Sequence, residues 1–145
     1  MVIKGKQREL CENMKDAKVV FNESLKTMAE MIDSGNIRGC YYLSSNMTIF
    51  SHLCEYYDAV LIAEVLSNVF SEIGPLLDDE KVTEYSKQQA LKSIKQPINE
   101  IIDNYQKDDK NILYAALREL RVRATDIQLK CWKEQINVIP EGGIT

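Results

Sequence analysis

Apolar side chains recur along this chain at alternating steps of four and three residues. That rhythm, more than any motif, confines it to helices with one greasy side. In the first stretch the positions are Leu10, Met14, Ala17, Phe21, Ser24, Met28 and Met31, widened by Val20, Leu25 and Ile32. In the last they are Leu113, Leu117, Leu120, Ala124, Ile127 and Cys131. Only six Gly and three Pro interrupt 145 residues, and they gather where the rhythm stops. So little punctuation implies a few long elements rather than many short strands. At this length, with 45% hydrophobic residues, one domain with a single core is expected.

The stop and start signals divide the rhythm into four parts. A helix over 6–34 ends at Ser34-Gly35, because glycine tolerates the left-handed cap conformation. Residues 35–45 read as a connection, with Gly35 and Gly39 in turns and Ser45 or Asn46 as the next N-cap. A second helix runs from about 46 to 73 and is closed by Gly74-Pro75. A third begins at Asp78 or Asp79, and Pro97 predicts a kink after Ser93 or a split into two helices. A fourth follows Asp108-Asp109 and reaches about Asn137, leaving 1–5 and 139–145 as loose termini. Short links between long helices predict an all-α up-down bundle of four, or five if the third splits at Pro97.

The second helix does not fit the simple picture. Its first half aligns Ile49, Leu53, Tyr56 and Val60, whereas its second half aligns Ile62, Leu66, Val69 and Ile73. At ~100° per residue Ile62 lies about 200° from Val60, so the apolar face changes sides. Either the helix is sandwiched, or it breaks near Asp58, or a partner outside the chain covers its second half. The Ile62, Leu66, Val69 and Ile73 stripe is therefore the first candidate interaction face, with a homodimer the simplest occupant.

Charge is distributed unevenly. The formal net charge is -4, which disfavours a non-specific nucleic-acid binder, since such proteins replace phosphate counterions with a basic excess. No Lys or Arg occurs from Gly39 to Glu80, while residues 109–138 hold six basic against four acidic side chains. The second and fourth helices thus read as complementary neighbours. Arg118 and Arg121, one turn apart, are candidate contacts for an acidic partner or a phosphate, and with Arg123 and Lys130 they carry the alternative of a nucleic-acid face. In the neighbour reading, Arg123 is the cation expected to turn toward the second helix.

Catalytic signals are sparse. The one histidine gives His52-Leu-Cys-Glu55, the reverse of the Glu-x-x-His order used in di-metal bundles, and it has no second copy. Cys11, Cys40, Cys54 and Cys131 stand singly, so zinc and redox spacings are absent. An enzyme would need His52, Glu55 and a cysteine to converge in a cavity. No phosphate loop, nucleophile elbow, cofactor motif or metal set is recognisable. Of the seven tyrosines, Tyr56, Tyr85, Tyr105 and Tyr114 suit core edges, while Tyr41 and Tyr42 suit contacts in a loop. No apolar run approaches the roughly 20 residues of a membrane span, and the N-terminus lacks a secretory apolar segment. The expectation is a cytoplasmic, non-enzymatic protein–protein interaction module, a homodimer or a subunit of a larger complex.

Overall fold

A computed structural model of the chain describes residues 14–137. Among them are five helices and no strand: α1 Met14–Asp33, α2 Ile37–Leu53, α3 Tyr57–Leu77, α4 Glu84–Asn104 and α5 Asn111–Asn137. The fold is an all-α helical bundle. The predicted start of the first helix at residue 6, Leu10, Cys11 and both loose termini lie outside the described residues. Contacts gather the chain into two compact units, Met1–Asn68 and Val69–Thr145, with the division inside α3.

The first unit shows where the expected boundaries move. Helix α1 closes as the sequence indicates: Gly35, at φ 76°, donates its N–H to Ile32 O, and Asn36 N–H returns to Met31 O at 2.8 Å. This paired return is a Schellman ending, which satisfies carbonyls the helix leaves open. Residues 37–45 are helical, however, and not the expected connection. Asn36 is the N-cap, its Oδ1 accepting from Gly39 N–H at 2.9 Å. Gly39 serves that cap rather than a turn, since a Cβ there would stand 2.8 Å from Asn36 Cγ.

The extra helix in this unit comes from a break at 54–56, close to the Asp58 point where the face changes sides. A second Schellman ending lies there: Glu55 N–H bonds to His52 O at 3.1 Å and Tyr56 N–H to Ser51 O at 2.9 Å. Glu55 occupies the left-handed position, at φ 54°, where glycine is usual. Tyr56 is buried and meets the Phe21 ring of α1 edge-on at 5.9 Å, which ties this ending to a neighbouring helix. Beyond the break α3 returns along α2, with Ser45 Oγ 3.3 Å from Ser67 Oγ and His52 Nε2 3.3 Å from Glu64 Oε1.

Helix α3 runs through Gly74-Pro75 and ends at Leu77. By length and composition it is apolar enough to cross a membrane, which corrects the reading of its apolar run as too short. Ile62, Leu66, Val69, Phe70 and Ile73 are each at most 1% exposed, the pattern of a core helix.

In the second unit α4 and α5 pack antiparallel: Ser86 faces Glu134, and Ser93 faces Arg123. Helix α4 begins at Thr83, not at Asp78 or Asp79, with Thr83 Oγ1 accepting from Ser86 N–H. Asp79 instead folds the preceding turn, accepting from Lys81 N–H and from Gln135 Nε2 at 2.8 Å each. Pro97 does not split α4, which is continuous from Glu84 to Asn104. The proline withholds the hydrogen bond due to Ser93 O, and Arg123 Nη1 supplies one at 2.6 Å. The carbonyl that the proline leaves without its helical partner is thereby satisfied from the neighbouring helix.

A candidate interaction face on the last helix

Helix α5 is apolar on two sides. Its inner side holds the residues the rhythm named: Leu113, Leu117, Leu120, Ala124, Ile127 and Cys131, each at most 5% exposed. Its outer side holds Val122, Leu129 and Ile136, spaced by seven, at 57%, 51% and 54% exposure. At ~100° per residue these three lie within about 40° of one another around the helix, so they form one seam. Trp132, 47% exposed, and Thr125 lie along one edge of the seam. Glu119, Asp126 and Lys133 lie along the other. At the N-terminal end, Arg118 and Tyr114 extend the exposed surface.

The seam is built by the same packing that fixes the inner side. With Leu120, Ile127 and Cys131 locked against the core, helical geometry carries residues 122, 129 and 136 to solvent. Asp126 Oδ2 and Lys130 Nζ pair at 2.9 Å, both more than half exposed, so little energy holds them together. Between α4 and α5 an open groove of about 380 Å³ is lined in part by Ser86, Ser93, Asp126, Lys130 and Cys131. At its Ser86 end, Glu134 Oε1 accepts from Ser86 Oγ at 2.7 Å and from Thr83 Oγ1 at 2.8 Å. Those bonds, the Ser86 bond foremost, hold the Glu134 carboxyl below its ordinary value despite partial desolvation.

The residues singled out from the sequence fare differently. Ile62, Leu66, Val69 and Ile73 share a face as expected, but they are buried within the chain itself. A seam between chains needs accessible side chains, so this stripe is not the docking face. Arg121 reaches Glu72 at 3.5 Å, so a cation of α5 does meet the acidic helix; it is Arg121, however, and not Arg123. Arg123 is drawn instead to Ser93 O, Gln96 and Glu119. Arg118 stays exposed.

The catalytic grouping does not assemble. His52 pairs with Glu64 at the half-exposed surface, Glu55 forms the helix break, and Cys54 is buried. Burial pushes the Cys40 thiol up to about 12 and raises that of Cys131, so both are poor nucleophiles at neutral pH. Among the described residues no group of three His, Cys, Asp or Glu side chains is placed to hold a metal ion. Tyr56 and Tyr105 are buried as core-edge residues, while Tyr85 and Tyr114 are exposed. Tyr41 and Tyr42 lie on α2, with Tyr42 the more exposed.

The outer seam escaped the reading of the sequence although its signal is present. Residues 118, 122, 125, 129, 132 and 136 repeat the four-three rhythm, five positions behind 113, 117, 120, 124, 127 and 131. Two interleaved rhythms look like a helix with little sidedness, and the first one found conceals the second.

Comparison with protein-family models, with curated proteins and with solved structures finds no match for this chain.

Proposed function

We propose that the chain is a non-enzymatic protein–protein interaction module of the cytoplasm, a homodimer or a subunit of a larger assembly, and that it docks through the outer face of α5. The observation that supports this reading is the seam of Val122, Leu129 and Ile136, flanked by Trp132 and left half-exposed on a helix whose inner side is packed. Large apolar side chains aligned on one face, rimmed by charges, are characteristic of surfaces covered by another protein. Tryptophan is also enriched among the residues that dominate interface energies.

The competing reading, a nucleic acid on the basic side of α5, has less support. Arg121, Arg123 and Lys130 each have a carboxylate partner within 3.5 Å, which leaves Arg118 as its main cation. Under the interaction reading, Arg118→Glu with Arg121→Glu leaves RNA retention at low salt unchanged and negligible.

A photo-activated cross-linking residue at Leu129 tests the docking face in the cells that produce the protein. A discrete protein adduct is expected from position 129 and none from exposed Lys92 on α4. No adduct from Leu129 overturns the reading.

A further inference from the structure

Resting on that docking face, we infer that its occupant is a second copy of this chain, laid antiparallel with the two α5 helices crossing at Leu129. Val122, Leu129 and Ile136 occupy one of the two core positions of a heptad, and Thr125 and Trp132 the other, which is the register of a two-helix seam. Antiparallel pairing about Leu129 sets Val122 against Ile136 of the second copy and Leu129 against its own counterpart. The indole of Trp132 then falls over Thr125 of the second copy, a small residue on the same edge.

The charged edge complements itself in the antiparallel direction. In an antiparallel pair like edges face each other in reverse order, so Asp126 comes beside Lys133 of the second copy, and Lys133 beside its Asp126. In a parallel pair this edge would instead face the opposite edge of the other helix, which carries Thr125 and Trp132, and Asp126 and Lys133 would not meet. The edge reads acid, acid, base from Glu119 to Lys133, and reversal is what makes such a pattern complement itself. Asp126 is free to turn outward, because its pairing with Lys130 lies on the exposed surface and is worth little.

Sedimentation equilibrium of the full chain over a concentration series tests the inference. The wild type should fit a reversible dimer. Leu129→Glu should abolish association while leaving helix content unchanged, and thermal unfolding unchanged at concentrations where the wild type is monomeric, as its side chain is half-exposed. Asp126→Lys should weaken association about tenfold, and Asp126→Lys with Lys133→Glu should recover most of it. A wild type that stays monomeric overturns the inference, as does a double variant no tighter than the single one. The cross-linking at Leu129 separates this inference from the docking reading beneath it. An adduct of twice the chain mass supports both; an adduct of another mass overturns the second copy and leaves the docking face standing.

Discussion

Two apolar stripes of this molecule end in opposite environments. On α3, Ile62, Leu66, Val69 and Ile73 repeat at four and three and are at most 1% exposed; on α5, Val122, Leu129 and Ile136 repeat at seven and are about half exposed. From the sequence alone the first stripe looks like the face in search of a partner, and the second is barely visible. The difference teaches that periodicity says which side chains share a face and nothing about what covers it. Cover is decided by the rest of the chain. A break two residues before Asp58 turns α3 into its own helix, so its stripe needs no outside partner.

The sharpest way to break this comparison is to truncate one leucine from each stripe. Leu66→Ala should lose about 2–5 kcal/mol of unfolding free energy, through lost transfer energy and the cavity left behind. Leu129→Ala should cost under about 0.5 kcal/mol at concentrations where the chain is monomeric, as surface changes usually do. Urea unfolding of both variants measures the gap. Equal losses would mean the α5 seam is packed in solution and is no docking face.

Next in size is the bond that meets the carbonyl freed by Pro97 in α4. Arg123 leaves the rim of α5 to bond Ser93 O, the carbonyl that Pro97 leaves open, so Arg123→Met should cost about 1–3 kcal/mol. A double-mutant cycle isolates that cause: with Pro97→Ala restoring the backbone hydrogen bond, the same arginine change should cost clearly less. Additive losses would show that Arg123 acts through Glu119 and Gln96 instead. This prediction sharpens the contrast between the two sides of α5, since it assigns one of its cations to the core.

How much of this was legible follows from what each signal encodes. The helical class, the glycine stop at Gly35 and the inner face of α5 were legible because side-chain spacing and a left-handed glycine are local properties. The continuity of α4 was not, because Pro97 is read as a breaker and the partner of the carbonyl it frees, Arg123, lies 26 residues away. Nor was the N-cap at Asn36, since Gly39 three residues later looks like turn punctuation rather than room for a cap. The break at 54–56 was visible only as a change of face. Its left-handed residue is Glu55, and no glycine marks the place. The candidate site was the least legible part, because exposure depends on packing that the spacing of Val122, Leu129 and Ile136 does not record.

That same break supplies a smaller test. Glu55 sits at φ 54°, where a Cβ is unfavourable, so Glu55→Gly should stabilise the protein by about 0.5–1 kcal/mol. Gly35→Ala, at φ 76°, should destabilise it by a similar amount. A Glu55→Gly variant that is less stable would mean that Glu55 makes contacts worth more than its backbone strain. The separate identity of α3, and with it the burial of its stripe, would then rest on those contacts.

The smallest expected effect distinguishes the inner side of α5 from its outer seam by pH. Glu134 joins α5 to the Thr83 cap of α4, and its carboxyl is lowered chiefly by the Ser86 hydroxyl, with Thr83 assisting. A group lowered in the folded state stabilises fully above its unfolded value, ordinarily 4.5, and loses that contribution as pH falls through the lower native value. Asp79, lowered mainly by its bond from Lys81 N–H and then by Gln135, has the same sign. Unfolding midpoints should therefore fall on acidification from about pH 5, and Glu134→Gln, which keeps an acceptor oxygen, should flatten part of that slope. Mildly above that range self-association through Leu129 should be insensitive to the same change, because Glu134 lies on the core side of α5. If Glu134→Gln shifted the dimer equilibrium as much as the slope, the two sides of α5 would be one cooperative surface, and the contrast between inner packing and outer docking would collapse.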